Sequence, residues 1–266
     1  MFTPEERERL RADILAAARA DPRISGGALT GSASVGNEDR WSDVDLAFGV
    51  RDPSGVAGTL ADFSARMYDD HQALHHVDVL SGAWVYRVFL LPSTLQVDLA
   101  FAPESEFGAR APSFRLVFGT ARERPAISGP RAEELVGYGW LYALHARSSI
   151  TRARLWQAEY MISAMRDQIL ALACVRLGLP AREGRGIDRL PREITEPLEE
   201  ALVRRLDAAE AARAFAAAIG GLLREISAFD PSLATRLVPA LDALRESASA
   251  SAERPGDPHP ERPRFK

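Results

Sequence analysis

Apolar and polar residues alternate with different periods in the two parts of the chain. Up to about residue 120, a period of two predicts strands over 44–50, 75–80, 84–91, 95–101 and 114–118, after a glycine-interrupted strand that begins at 24 and leads into a loop. Apolar residues at helical spacing predict two helices in the same part. The first begins after a capping box of Thr3 and Glu6 and ends near Asp21, and the second covers 55–70. These elements predict an α+β fold whose N-terminal domain has a small mixed β-sheet flanked by helices.

From Arg131 onward the apolar residues recur at helical spacing. Helices are predicted over 132–147, 150–177, 193–206, 208–229 and 231–247. The last residues of the chain contain almost no apolar side chain, which is typical of a segment that forms no packed core. We therefore expect an α+β domain over 1–125, an all-α helical bundle domain over 126–247 and a disordered tail over 248–266.

Charge and cysteine content narrow the kinds of partner and the compartment. The formal net charge of −4 argues against binding a nucleic acid polymer, which requires many cations to neutralise phosphates. The one cysteine, Cys174, lies in an apolar helical segment and forms no disulfide within the chain, as is usual in a reducing compartment. No apolar run has the length of a signal core or a membrane span, so we expect a cytoplasmic protein without a membrane partner.

Two aspartates on one predicted strand are the first candidates for chemistry. Asp43 and Asp45 are two residues apart and therefore lie on the same face of the strand, whereas Val44 points to the other face. Two carboxylates on one face repel each other unless a cation lies between them, and oxygen ligands suit a hard divalent cation. Gly31 and Ser32 precede this pair, and a glycine there lets the backbone approach a phosphate group closely.

Asp98 is the third candidate, in the middle of the strongly apolar strand over 95–101. Taken alone, it would be interpreted as a solvated aspartate on an edge strand. Together with Gly31-Ser32 and the pair Asp43 and Asp45, it is better interpreted as the third ligand of a metal site. Arg40 lies in the segment before Asp43 and is a candidate phosphate ligand, the alternative being an ordinary loop arginine.

These motifs together resemble the DNA polymerase beta-like nucleotidyltransferase superfamily. The matching segments are Gly31-Ser32, Asp43-Val44-Asp45-Leu46 and Val97-Asp98-Leu99, and Thr30 stands where the family has an apolar residue. Within the superfamily, the chain looks most like aminoglycoside and lincosamide nucleotidyltransferases, which have a C-terminal helical domain. The signature covers about the first 120 residues, and the resemblance of the helical part is one of architecture.

The resemblance implies a role for each matching residue. Asp43 and Asp45 would hold two Mg²⁺ ions, Gly31 and Ser32 would hold the β- and γ-phosphates of ATP, and Asp98 would complete the metal site and accept the proton of the attacking hydroxyl. The implied reaction transfers AMP to a small hydroxylated acceptor, such as an antibiotic of the aminoglycoside or lincosamide type, and releases pyrophosphate. Two alternatives are AMP transfer to a protein acceptor and a nucleotide-binding module without catalysis. The sequence does not decide whether the protein is a monomer or a homodimer.

A polar stripe on the predicted helix over 150–177 adds one more candidate. Arg152, Glu159 and Arg166 are spaced by seven and are expected to share one helix face. One interpretation is a solvated face with an internal ladder of ion pairs. In the other interpretation, Glu159 is the general base that activates the acceptor, because some members of the superfamily that the chain resembles take this base from their helical domain. The residue pattern favours neither interpretation.

Overall fold

A computed structural model describes residues 1–125 and 128–252, which form two compact units, the first within Met1–Ile127 and the second from Ser128 onward. The elements of the first unit are α1 (Pro4–Ala20), β1 (Ile24–Thr30), α2 (Gly31–Ser34), β2 (Val44–Val50), α3 (Val56–Asp69), β3 (His75–Ser81), β4 (Trp84–Leu90), β5 (Gln96–Pro103) and β6 (Phe114–Gly119). Those of the second unit are α4 (Ala132–Thr151), α5 (Leu155–Arg176), α6 (Arg192–Glu199), α7 (Ala208–Phe229) and α8 (Pro231–Ala252). The expected fold class, a mixed sheet with helices followed by an all-α part, is confirmed.

The described strands of the first unit form one sheet in the order β3-β4-β5-β2-β1-β6. Only β2 and β5 pair in parallel, and the other neighbours pair in antiparallel fashion. The short segment Pro92-Ser93-Thr94 joins β4 to β5 in an antiparallel hairpin, as its length predicts for two consecutive strands. After β1, where the sequence predicted a loop, the chain forms the single helical turn α2 instead.

Helices α1 and α3 cover one face of this sheet and create the larger core of the first unit. Ile14 of α1 and Phe63 of α3 pack against strand residues that include Leu46, Phe48 and Phe101. The opposite face carries a smaller apolar cluster of mainly small side chains, including Ala47 and Ala100. Because side chains alternate along a strand, Asp45 and Asp98 point to this second face.

The first unit begins with the capping box that the sequence predicted. The hydroxyl of Thr3 accepts from the backbone N–H of Glu6 at 3.2 Å, and the carboxylate of Glu6 accepts from the backbone N–H of Thr3 at 2.8 Å. This reciprocal pair satisfies two N–H groups that have no partner within the helix. It sets the starting point of α1, the helix on which part of the site depends.

In the second unit, α4 and α5 pack together, as do α7 and α8, around a continuous apolar core. The predicted boundary between the first two helices was wrong. Helix α4 continues to Thr151, and the chain turns at Ala153, whose φ of +52° is incompatible with a continuous α-helix. Arg152 therefore caps α4 and does not lie on α5.

Two further helix ends differ from the sequence prediction. Helix α6 ends at Glu199 and does not reach 206, because arginines of other helices take the carbonyl groups that follow it: Arg213 donates to Glu200 and Leu202, and Arg166 donates to Ala201. Helix α8 continues to Ala252, past the predicted start of the tail at 248, and residues 253–266 lie outside the described part of the chain.

No helix within residues 1–125 and 128–252 has the length and apolar character that a membrane span requires.

The aromatic centre of the larger core allows a direct test of this packing. The ring of Phe48 is fully buried, with ring centroids of Phe101 and Phe63 at 5.3 and 5.8 Å. Phe48→Ala should lower the free energy of unfolding by about 3–5 kcal/mol, because it removes buried contacts and leaves a cavity. The matched control is Leu80→Ala in the same unit, since Leu80 is 73% exposed and should change stability little. Urea unfolding of both variants measures the difference, and equal losses would contradict the assigned core.

Candidate metal centre

Three carboxylates meet where β2 and β5 run side by side. Asp45 lies in β2 and Asp98 in β5, and the parallel register places their Cα atoms opposite each other. Asp43 immediately precedes β2. One oxygen from each of the three half-buried side chains lies within 4.8 Å of the others. Among the described residues, this is the one group of three such side chains close enough to hold a metal ion.

The electrostatics of this cluster favour a bound cation. Burial raises the pKa of Asp98 to about 6; a hydrogen bond from Gln96 lowers it, and the neighbouring charge of Asp43 raises it. The Nε2 atom of Gln96 donates to Asp98 Oδ1 at 3.1 Å and to Asp43 Oδ2 at 3.3 Å. One amide therefore bridges two like charges, but it cannot neutralise them. A set of carboxylate oxygens with this unfavourable charge fits a hard divalent ion such as Mg²⁺.

Gly31 is the residue of the Gly31-Ser32 motif that the structure explains best. Its φ is +57°, in the left-handed region, and a Cβ atom there would lie 2.8 Å from the Cγ atom of Asp45 and still closer to its Oδ2 atom. Glycine is therefore required for two independent reasons, backbone conformation and the close approach of Asp45. The motif and the carboxylates thus belong to one site.

Ser32 follows Gly31 in the single turn of α2 and is half-buried. Its carbonyl group accepts from the backbone N–H groups of Val35 and Asn37, at 3.3 and 3.0 Å. The hydroxyl of Ser34 donates to the carbonyl of Gly31 at 2.7 Å. These bonds hold the turn next to Asp45, while the phosphate-binding role of Gly31 and Ser32 stays a prediction.

The structure places Arg40 on an aromatic ring and Glu159 in a hydrogen-bond network on a helix of the second unit. The guanidinium of Arg40, which is exposed, lies over the ring of Trp41 at 4.3 Å from the ring centroid. Glu159 lies on α5 of the second unit and accepts from the hydroxyl of Ser163 at 2.6 Å. Arg166 donates to the same hydroxyl at 3.1 Å, so the predicted stripe retains two of its three charged residues, without Arg152. Their proposed roles in phosphate binding and proton transfer stay predictions.

Sequence reasoning missed three residues around the carboxylates. Gln96 is two residues before Asp98 on the same strand face, and that spacing was a usable signal. Arg7 and Arg11 of α1 hold the segment that leads into Asp43. The signal for them was their position on the apolar face of α1, where both are buried.

Comparisons with known proteins find a structural likeness but no match in sequence. No protein-family model matches the sequence, and a comparison with curated proteins gives no match. Among solved structures, the chain is similar to an aminoglycoside 6-adenyltransferase from Bacillus subtilis, with a TM-score of 0.42 and 13% identity over 92% of this chain and 99% of that chain. The case for the site therefore depends on the residues of this chain.

The contact between Gly31 and Asp45 can be tested with two glycine substitutions. Gly31→Ala should weaken Mn²⁺ binding by about 10-fold or more, because the added Cβ displaces the Asp45 carboxylate. Gly36→Ala is the matched control, since Gly36 has a similar φ of +72° but no atom within 4 Å of an added Cβ. Isothermal titration with Mn²⁺ measures both affinities. Equal affinities in the two variants would show that the close approach has no role in cation binding.

Burial of Asp98, together with the neighbouring charge of Asp43, predicts a pH effect in the cation-free protein. Because the pKa of Asp98 is raised in the folded chain, its ionisation favours unfolding, and this penalty grows as the pH rises from about 4 to above 6. In the presence of a chelator, Asp98→Asn should therefore unfold at a higher temperature than the unmodified protein at about pH 8, and at nearly the same temperature at about pH 4.

Asp78 provides a control of opposite sign for this pH effect. A hydrogen bond from Arg87 lowers the pKa of Asp78, so its ionised form stabilises the fold above its unfolded pKa. Asp78→Asn should accordingly lower the unfolding temperature at about pH 8. If Asp98→Asn also lowers it there, the folded chain does not disfavour the ionised form of Asp98.

Proposed function

We propose that this protein is a Mg²⁺-dependent nucleotidyltransferase that moves AMP from ATP to a hydroxyl group of a small acceptor. The observation that carries the proposal is the set of three carboxylate oxygens within 4.8 Å of one another, from Asp43, Asp45 and Asp98. The close approach of Gly31 to Asp45 supports it, because it joins a glycine-containing turn to the carboxylates. A nucleoside triphosphate needs both, a backbone that its phosphates approach and ligands for its Mg²⁺.

Asp43, Asp45 and Asp98 are the residues that would hold two Mg²⁺ ions. When bound, Mg²⁺ activates the attacking oxygen and stabilises the charge of the leaving pyrophosphate. Gly31 and Ser32 bind and orient the β- and γ-phosphates, and the absent side chain of Gly31 makes room for the Asp45 carboxylate beside this turn. Arg40 is proposed as an additional phosphate ligand that would leave the ring of Trp41 to reach it.

The proposed transfer forms one bond and breaks one bond at the α-phosphorus. The acceptor hydroxyl gives its proton to a carboxylate, its oxygen bonds to the α-phosphorus, and the bond to the β-phosphate oxygen breaks with release of pyrophosphate. Asp98 is the proposed base, because it lies within the cluster of carboxylates beside which the acceptor hydroxyl would be activated. Glu159 is the second candidate for this role.

For the acceptor, we propose a small hydroxylated molecule of the aminoglycoside or lincosamide type. The motifs Gly31-Ser32, Asp43-Val44-Asp45 and Val97-Asp98-Leu99 support the reaction class, and the order of a small α+β domain followed by a helical domain supports this acceptor through its resemblance to antibiotic nucleotidyltransferases. The formal net charge of −4 supports a small acceptor over a nucleic acid polymer.

Release of pyrophosphate tests the reaction directly. Each of the common nucleoside triphosphates is incubated with Mg²⁺ and a panel of aminoglycosides, lincosamides and other hydroxylated metabolites. We expect acceptor-dependent release with ATP, reduced by on the order of 100-fold or more in Asp43→Asn, because one ligand of the cation is lost. Asp78→Asn is the matched control, since Asp78 pairs with Arg87 outside the cluster and its loss should leave the rate unchanged.

Two outcomes of this assay, followed by one further measurement, separate the alternative functions. Pyrophosphate release that survives both Asp43→Asn and Asp45→Asn would contradict the metal-dependent reaction. Tight nucleotide binding without release from any acceptor of the panel would favour a protein acceptor or a binding module. Mass spectrometry of the chain and of added proteins then distinguishes these two, because AMP transfer adds a covalent mass and binding does not.

A further inference from the structure

The segment between Glu38 and Ser42 leads directly into Asp43, and it is attached to helix α1 by two buried arginines. Arg7 is 4% exposed and Arg11 is 6% exposed. The Nη1 atom of Arg7 donates to the carbonyl groups of Asp39 and Ser42, at 2.6 and 2.9 Å. Arg11 donates to both carboxylate oxygens of Glu38, at 2.8 and 3.1 Å.

The same segment has an internal network that makes it a compact turn. The carboxylate of Asp39 accepts from the backbone N–H of Trp41 at 2.8 Å and from the hydroxyl of Ser42 at 3.1 Å. The hydroxyl of Ser42 accepts in turn from the backbone N–H of Asp39 at 2.9 Å. Arg7 therefore binds a preformed turn at its two ends, Asp39 and Ser42. The second of these carbonyl groups belongs to the peptide bond that connects Ser42 to Asp43.

Charge is balanced within this attachment. Arg7 Nε lies 3.3 Å from Glu38 Oε1, and Arg11 pairs with Glu38 and with Glu8. Glu38 is therefore shared by both guanidinium groups. Buried arginines cost free energy of desolvation that apolar side chains at these two positions would avoid. What the arginines provide, and an apolar residue would not, is a defined conformation of the turn.

We propose that Arg7 is a positioning residue for Asp43. By donating to the carbonyl group of Ser42, Arg7 fixes the peptide bond before Asp43. The carboxylate of Asp43 therefore lies beside those of Asp45 and Asp98 before a cation binds. Arg11 has a supporting role, since it reaches the turn only through Glu38. This inference rests on the proposed function only in so far as the three carboxylates bind a divalent cation.

Without the arginine, the carboxylate of Asp43 is free to turn away from the two others, because like charges repel. Binding of a cation then includes the cost of ordering the turn. Arg7→Met keeps an unbranched, apolar side chain but removes the donors, and should weaken Mn²⁺ binding by about 10-fold or more. Arg11→Met should weaken it less, because Arg7 still holds both carbonyl groups.

The matched control is Arg87→Met in the same unit. Arg87 also forms a two-point ion pair, with Asp78 at 2.7 Å for both contacts, and donates to Ser64 of α3, on the side of the sheet away from the carboxylates. Its loss should lower stability but leave Mn²⁺ affinity unchanged. Electron paramagnetic resonance of free Mn²⁺ measures affinity, and urea unfolding measures stability separately.

Amide hydrogen exchange in the cation-free protein gives a second measurement, and its first part uses only the unmodified protein. The backbone N–H groups of Asp39 and Trp41 should be protected, because they donate to side chains of the attached turn. Arg7→Met should increase their exchange by at least about 10-fold, while the amides of β2 stay protected. Unprotected N–H groups at both Asp39 and Trp41 in the unmodified protein would overturn the inference even if no variant folds.

Asp43→Asn, measured in the same titration, separates failure of this inference from failure of the proposed function. If Asp43→Asn weakens Mn²⁺ binding and Arg7→Met does not, Arg7 has no positioning role and the metal site stands. If Asp43→Asn binds Mn²⁺ as the unmodified protein does, the metal site itself is wrong. Equal weakening by Arg7→Met and Arg87→Met would also overturn the inference, because it would show an effect of stability alone.

Discussion

The parallel pairing of β2 with β5 is the constraint on which the candidate site depends. It is the one parallel pair in a sheet whose other described neighbours are antiparallel. Its register places Asp45 opposite Asp98, and a shift by one residue would move either side chain into the apolar core on the other face. The register is held from that core side, where the rings of Phe48 and Phe101 pack at a tilt against each other and against Phe63 of α3. The apolar side of the sheet thus determines the geometry of its acidic side.

Bringing three carboxylates together is unfavourable, and the fold compensates for it with contacts around the cluster. Gln96 bridges Asp43 and Asp98, and Gly31 leaves room for the carboxylate of Asp45. The turn before Asp43 is attached to α1 by Arg7, whose charge is balanced by Glu38. These contacts come from three separate parts of the chain and hold the acidic groups close together, as a cation-binding site requires.

Much of the fold and part of the site could be predicted because they depend on local patterns. The bounds of β2 follow from its apolar run, and the presence of Asp43 and Asp45 on one face follows from the strand period. The hairpin of β4 and β5 follows from the short segment that connects two alternating runs. Errors occurred where tertiary contacts decide a helix end. Helix α6 ends early because Arg213 and Arg166 take the carbonyl groups that follow it, and α4 continues to a turn at Ala153 that no composition signal marks.

By itself, the sequence determined which residues carry charge on which strand face, because side-chain alternation is a property of the local backbone. It also determined the division into a mixed α+β part and a helical part, because alternating apolar runs occur only before about residue 120 and helical spacing prevails from Arg131 onward. Only the tertiary structure decided that β5 lies beside β2, that Gly31 contacts Asp45, and that Arg7 of α1 holds the peptide bond before Asp43. These are contacts between residues far apart in the chain, and they depend on how elements pack on both faces of the sheet, which no local pattern encodes.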